Sequence, residues 1–207
     1  SERRRTLIIV ENNLQELVYN MLSTIINVRL LSDNILHNIN IRGGRIESIT
    51  DNFAKAATDV FDAHGMLAIP GLINCHTHSY MSLFKNIADD LPFDEWLFGR
   101  IMPLEDRMTA DDAYWCTLLS CAEMLRRGTT CFADMHMFES MCAKAAVDAG
   151  MRAVMCRGLT DTDGTEGGLR RLREAENDME AFRSNGMLTH MLAPHAIYTC
   201  SNDYLKS

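Results

Sequence analysis

Residues 69–78 read IPGLINCHTH, a short apolar run that follows Pro-Gly and ends in two histidines. Such a run is typical of a buried β-strand, and alternate residues of a strand point to the same face. His76 and His78 can therefore reach one metal ion together while Thr77 faces away. Imidazole nitrogens suit zinc, iron or another borderline metal. A bare His-x-His motif also occurs as two ordinary surface or core histidines, so its context has to decide between these readings.

The predicted secondary structure before this stretch differs from that after it. Residues 23–69 contain short strand-like segments separated by turns, and Gly43-Gly44 is a strong turn signal, which together predict a small antiparallel β domain. Residues 70–207 instead alternate strands with helices, and four such βα units predict a parallel α/β sheet. Residues 1–22 show helical spacing of apolar residues, and we assign this N-terminal extension no function.

Helix signals are clearest between residues 109 and 127. Thr109 and Asp112 have the spacing of a capping box, and Gly128 provides a stop. The remaining segments of this region are assigned from apolar periodicity. They are predicted strands at 71–78, 129–134, 152–159 and 188–194, and predicted helices at 139–149 and 168–183, with a further helix starting near 201–203.

Polar side chains close each predicted strand of the βα region. The six residues are His76, His78, Asp134, His136, Arg157 and His195. Active sites of (β/α)8 barrels gather at the carboxyl ends of the strands. An open doubly wound sheet binds ligands there too, so position alone leaves both folds open. No G-x-G-x-x-G follows a strand, which counts against a dinucleotide site.

Composition narrows the function classes. The formal net charge is −8, which argues against a nucleic-acid-binding surface. No stretch reaches the roughly 18–20 apolar residues that span a bilayer, so we expect no membrane partner and a cytoplasmic location. The seven cysteines are an odd number without a CxxC pair, which favours a reducing compartment over a disulfide framework.

Several separated segments, in order, resemble the amidohydrolase superfamily. Besides residues 69–78, the similar segments are ADDLPF (88–93), EWL (95–97), MPLE (102–105), RGTT (127–130), FADM (132–135), APH (193–195) and YTCS (198–201). They are most similar to the branch that holds 5-methylthioadenosine/S-adenosylhomocysteine deaminases, chlorohydrolases and other aminohydrolases of nitrogen heterocycles. The similarity covers residues 24–207.

The resemblance implies a fold and a set of site residues. The fold would be the first half of a metal-dependent (β/α)8 TIM barrel, preceded by part of a small β-sandwich domain. His76 and His78 would bind one divalent ion, Zn²⁺ or alternatively Fe²⁺. Glu105, Arg157 and His195 would contact the substrate, with His195 as a substrate contact and not a third metal ligand.

Other interpretations of these residues stay open at this point. Glu105 can instead be a solvated residue on a helix surface, and Arg157 can form an internal ion pair with Asp134. The family gives Asp134 and His136 no primary role, so we interpret both as supporting or structural residues.

The implied activity is hydrolytic deamination of an adenosine-type thioether or related heterocycle, with a metal-activated water as nucleophile. Alternatives are a guanine deaminase or chlorohydrolase relative, a non-catalytic binding protein of the same fold, and a half-barrel completed by a second chain. The family takes its third metal histidine, catalytic glutamate and metal-bound aspartate from later strands, which we expect beyond Ser207. We therefore expect residues 1–207 alone to be inactive and the full-length protein to be a homo-oligomer.

Overall fold

A computed structural model describes residues 23–33, 35–51 and 57–206 of the chain. The chain divides after Pro70 into two compact units, and each unit contains its own β-sheet. The predicted N-terminal extension, residues 1–22, lies outside the described residues. Within the described ranges, no helix combines the length and the apolar character needed to cross a membrane.

The first unit is built around a central strand, β1. The described part of this unit contains five strands, β1 (Ser23–Leu30), β2 (Leu36–Arg42), β3 (Arg45–Thr50), β4 (Asp59–Asp62) and β5 (Leu67–Ala68). The hairpin between β2 and β3 turns at Gly43 and Gly44, whose φ angles of 56° and 68° lie in the left-handed region that glycine adopts readily. Val28, Ile39 and Ala63 form its small core.

The prediction of a wholly antiparallel β unit was wrong. Strand β1 pairs antiparallel with β2 but parallel with both β4 and β5. A parallel pair needs a crossover connection in place of a tight turn, and no turn signal in the sequence reports that direction.

The second unit carries four parallel strands in the order β6-β7-β8-β9. The strands are β6 (Leu72–Thr77), β7 (Thr129–His136), β8 (Arg152–Leu159) and β9 (Leu188–Pro194). The α-helices are α1 (Met102–Glu105), α2 (Ala110–Arg126), α3 (Glu139–Asp148) and α4 (Thr165–Ala181). The predicted alternation of strands and helices is confirmed, although α4 begins three residues earlier than predicted.

Helix α2 begins where its capping residues predict. The Thr109 side chain accepts the Asp112 backbone N–H at 3.2 Å, and Asp112 Oδ2 accepts the Thr109 backbone N–H at 2.9 Å. Two features escaped the prediction, namely a π-helical stretch at Glu95–Ile101 and a 3-10 helix at Ser79–Phe84. In the predicted C-terminal helix, the described residues form only a 3-10 turn, Tyr204–Lys206.

Strand register decides which side chains face the helices. Asp134 pairs with Thr77 on β6 and with Met155 on β8, while His136 pairs with Arg157. Directly paired residues share a face, so these side chains lie on the helix-covered side of the sheet. The core on that side includes the fully buried Phe132 and Met155. His76 and His78 flank Thr77 and therefore point to the opposite face.

Candidate active site

The end of β6 brings the two histidines of the His-Thr-His motif together. The ring centroids of His76 and His78 lie 5.1 Å apart with the ring planes nearly perpendicular. His76 is exposed, and His78 is half-buried. Two imidazoles on one face of a strand end therefore remain accessible to an ion, as the sequence predicts.

A hydrogen bond fixes the tautomer of His78. Its Nδ1 lies 2.8 Å from the backbone carbonyl oxygen of Met135. A carbonyl only accepts hydrogen bonds, so Nδ1 carries the proton and the neutral ring keeps a free lone pair on Nε2. Metal-binding histidines typically donate their other ring N–H in this way. The two histidines at the end of β6 therefore fit a metal ion, and Nε2 is the atom of His78 that could bind it.

Glu105 lies at the end of α1 and is held by a buried tyrosine. The hydroxyl of Tyr80 donates a hydrogen bond to Glu105 Oε1. Burial and the neighbouring Glu105 carboxylate raise the pKa of Tyr80, so the phenol stays protonated and remains a donor. Glu105 is thus a half-buried, oriented carboxylate, in contrast to the alternative of a freely solvated surface residue.

His195 follows the end of β9 and reaches the same neighbourhood. Burial lowers the pKa of His195, and the neighbouring His78 lowers it further, while Glu105 raises it. The Thr199 hydroxyl donates to the Ala196 carbonyl at 3.2 Å and lies 2.9 Å from His195 Nδ1. Since that hydroxyl proton is already used, Nδ1–H donates to Thr199, and His195 Nε2 is left as an acceptor.

Arg157 is not brought together with the other predicted site residues. Its guanidinium donates to Glu174 Oε2 at 3.1 and 3.0 Å and to the Gly158 carbonyl at 3.0 Å. The side chain lines a cleft of about 300 Å³ whose walls come from α2, α3 and α4. The alternative interpretation, an ion pair between Arg157 and Asp134, was wrong, because Arg157 pairs instead with the carboxylate of Glu174 on α4.

Asp134 and His136 form a buried network beneath the strand ends. Asp134 accepts the Ser79 backbone N–H at 2.9 Å and also the Ser79 hydroxyl, and its Oδ2 lies 3.3 Å from His136 Nε2. Burial opposes ionisation of Asp134, but His136 and the Ser79 donors outweigh it and hold the pKa of this carboxyl below its ordinary value. The network ties Ser79, the residue after His78, to β7.

The same region contains a second set of possible metal donors. Ligand atoms of Asp134, His136 and Cys142 lie within 4.8 Å of one another, and all three residues are buried. However, His136 Nδ1 accepts the Phe138 backbone N–H at 3.0 Å. Nε2 then carries a proton that faces the Asp134 carboxylate, which leaves no lone pair there for a metal. This set is therefore better suited to holding the strand ends together than to binding an ion.

One buried ionisable pair was not anticipated from the sequence. Glu139, at the start of α3, and His190, on β9, are joined by a 2.8 Å hydrogen bond, and their side chains are 1% and 6% exposed. Burial raises the pKa of Glu139, and His190 partly offsets this. A histidine inside an otherwise apolar strand was the signal that could have revealed this pair.

Comparisons with known proteins identify relatives of this unit. The amidohydrolase family profile matches residues 67–207. A 5-methylthioadenosine/S-adenosylhomocysteine deaminase from Caldanaerobacter subterraneus subsp. tengcongensis is 41% identical over 188 residues, which are 87% of this chain and 43% of that protein. A 5'-deoxyadenosine deaminase from Methanosarcina barkeri is 41% identical over 167 residues, which are 80% of this chain and 39% of that protein.

A solved structure extends the comparison to the fold. The crystal structure of an adenosine deaminase from Xanthomonas campestris with bound zinc superposes with a TM-score of 0.79 at 26% identity, covering 90% of this chain and 45% of that one. The superposition confirms the predicted α/β fold, in which the four βα units form part of a (β/α)8 barrel. The chain spans less than half the length of the curated relatives it matches.

Proposed function

Because the chain belongs to the amidohydrolase family, we propose that it forms part of a metal-dependent hydrolase that deaminates adenosine-type nucleosides. The substrates would be S-adenosylhomocysteine, 5'-methylthioadenosine or a close analogue such as 5'-deoxyadenosine. The observation that carries the proposal is the pair of histidines at the end of β6, whose ring centroids lie 5.1 Å apart and of which His78 is held by the Met135 carbonyl with its Nε2 free. The names of the two curated relatives support the substrate class.

His76 and His78 would hold the divalent ion, with zinc as the leading candidate and Fe²⁺ as the alternative. A bound ion of this kind lowers the pKa of a water molecule and so supplies a nucleophile near neutral pH. Catalytic zinc usually takes three protein ligands, so these two histidines would be one part of the donor set. The Met135 carbonyl would keep His78 in the tautomer that binds through Nε2.

Glu105 and His195 would bind and orient the nucleoside. A carboxylate accepts hydrogen bonds, so Glu105 suits the two hydroxyls of a ribose. His195 Nε2 is an acceptor in the tautomer set by Thr199, which suits a donor on the purine or on the leaving amine. Burial also lowers the pKa of His195, which favours the neutral ring.

Arg157 keeps its place as a predicted substrate contact, but its present contacts favour a structural role. Its guanidinium is already paired with Glu174, and it lies on the face of the sheet opposite His78. Releasing it towards a substrate would break this pair and leave Glu174 with Arg170 as its cation, 3.7 Å away.

The proposal is tested by ammonia release from S-adenosylhomocysteine, 5'-methylthioadenosine, 5'-deoxyadenosine and guanine, together with the metal content of the purified full-length protein. His78→Ala should lose most of the bound metal and abolish deamination. Glu105→Gln should mainly raise KM for the adenosine-type substrates. The control is His64→Asn, because His64 is exposed and has a φ of 46°, which asparagine tolerates.

Two outcomes would count against the proposal. Full activity and full metal content in the His78 variant would contradict the metal assignment. Turnover of guanine without turnover of any adenosine-type nucleoside would replace the proposed substrate class with that of a guanine deaminase.

A further inference from the structure

Tyr80 occupies an unusual position between the metal-binding motif and Glu105. It is the second residue after His78, in the 3-10 helix Ser79–Phe84, and it is only 4% exposed. Its ring packs edge-on against His136, with ring centroids 5.1 Å apart. The ring is therefore fixed by packing, and the hydroxyl is fixed with it.

Among the described residues, the hydroxyl of this fixed ring has one hydrogen-bond partner. It donates to Glu105 Oε1, and within the same part of the chain no other group donates to the Glu105 side chain. Glu105 is the last residue of α1, a helix of one turn that follows the π-helical stretch Glu95–Ile101. Since so short a helix has little rigidity of its own, Tyr80 is the contact that restrains the carboxylate.

We propose that Tyr80 is a positioning residue that orients the Glu105 carboxylate towards the ribose diol and so makes the site selective for nucleosides that carry both sugar hydroxyls. This inference rests on the proposed function and adds a selectivity determinant to it. Tyr80 itself does not touch the reacting atoms. It acts by occupying one lone pair of Oε1, which leaves Oε2 and the remaining lone pair of Oε1 able to accept hydrogen bonds from a ligand.

The physical reason lies in the rotational freedom of a glutamate. An unrestrained glutamate samples many rotamers, and a ligand that needs one of them must supply the ordering free energy on binding. Hydrogen bonds to a charged group are among the stronger ones, so losing this restraint should weaken diol recognition by about tenfold. The effect should appear in KM for the ribonucleoside and leave kcat within about threefold.

The test compares Tyr80→Phe with the wild-type full-length protein. Phenylalanine keeps the ring and its packing on His136 and removes only the hydroxyl. Steady-state constants and calorimetric binding are measured for an adenosine-type nucleoside and for its 2',3'-dideoxy counterpart. The preference for the ribonucleoside should fall about tenfold in Tyr80→Phe, while the constants for the dideoxy compound stay unchanged.

Two further variants separate positioning from folding. In Tyr114→Phe the lost hydroxyl donates to the exposed Asp148 at 2.8 Å, and this matched change should leave the preference intact. In a Glu105→Gln background, Tyr80→Phe should have little further effect, because the oriented carboxylate is already gone. Thermal unfolding of each variant reports its stability.

The possible results distinguish failure of the proposed function from failure of the positioning role of Tyr80. If the wild-type protein neither binds nor deaminates nucleosides, the proposed function falls and the role of Tyr80 falls with it. If the wild-type protein prefers the ribonucleoside and Tyr80→Phe keeps that preference, only the positioning role is overturned. An equal loss for both nucleosides, accompanied by lower thermal stability, would also overturn it in favour of a purely structural tyrosine.

Discussion

Replacing Asp134 by asparagine tests the buried network that supports the strand ends. The Asp134 carboxylate is 1% exposed, accepts the Ser79 backbone N–H at 2.9 Å and lies 3.3 Å from His136 Nε2. Asp134→Asn keeps the size of the side chain and one carbonyl oxygen. It removes the negative charge and turns one acceptor into a donor.

The expected loss of stability depends on whether each donor that faces Asp134 still has an acceptor in the variant. The asparagine oxygen can still accept the Ser79 N–H, and the Ser79 hydroxyl can turn to Thr117 Oγ1, 2.8 Å away. His136 Nε2 forms no hydrogen bond in the wild-type protein either, so at this atom the variant removes only the attraction of the Asp134 carboxylate, 3.3 Å away. The variant also replaces the charged acceptor of the two Ser79 donors by a neutral one, and hydrogen bonds to charged groups contribute about 1.5–3 kcal/mol against about 0.5–1.5 kcal/mol for neutral ones. We therefore expect a loss of about 2–4 kcal/mol in the free energy of unfolding, a large part of a typical protein's stability.

The assay is urea unfolding followed by circular dichroism on the full-length protein, with Asp148→Asn as the matched control. Asp148 also has polar partners, Tyr114 and Lys144, but it lies at the surface, where water screens such contacts. Its variant should unfold close to the wild-type midpoint. If Asp134→Asn also unfolds at the wild-type midpoint, and its free energy of unfolding depends on urea concentration as in the wild type, the buried network does not stabilise the strand ends. That result would refute our reasoning.

Three further predictions concern packing, capping and thiol chemistry. A Cβ at Gly71 would lie 2.1 Å from the stiff Thr130 side chain, so Gly71→Ala should lose about 1–3 kcal/mol in urea unfolding. Gly186→Ala, whose added Cβ meets nothing within 4 Å, should stay near wild type. Thr109→Ala removes the N-cap of α2 and should cost about 1 kcal/mol in the same assay, so an unchanged midpoint would argue against the cap. Burial raises the pKa of Cys121 to about 12, so mass spectrometry should find it unalkylated at pH 8 until the protein unfolds.

Local signals in the sequence were sufficient for much of the second unit. The spacing of Thr109 and Asp112 located the start of α2, because a cap is a short-range hydrogen-bond pattern that a few residues encode completely. Apolar runs located β6 to β9, and strands that run parallel end at one edge of a sheet. That rule places His78 and His195 at the same edge, although β6 and β9 are the two outer strands of the sheet.

The same local signals do not predict which residues pair when they are far apart in the sequence. The parallel partners of β1 are chosen by how the chain crosses over, which no residue pair near the turn reports. The partner of Arg157 was missed for a related reason. A long side chain at a strand end can turn to either side, and Glu174 is 17 positions away on α4. Tyr80 likewise carries no local mark of its role, because its partner Glu105 lies 25 positions further along the chain.

Two register shifts between β6 and β7 together decide which face the histidines of the His-Thr-His motif take. Leu72 pairs with Thr129 and Ile73 with Cys131, so β7 advances two residues there while β6 advances one. Asn74 then pairs with Phe132 and Thr77 with Asp134, so the second shift adds a residue to β6 and cancels the first. Thr77 therefore lies beside Asp134, and His76 and His78 turn to the other face. With either shift alone, one of the two histidines would pair with Asp134 and share its buried face, so both irregularities are needed to keep the histidine pair apart from the buried network.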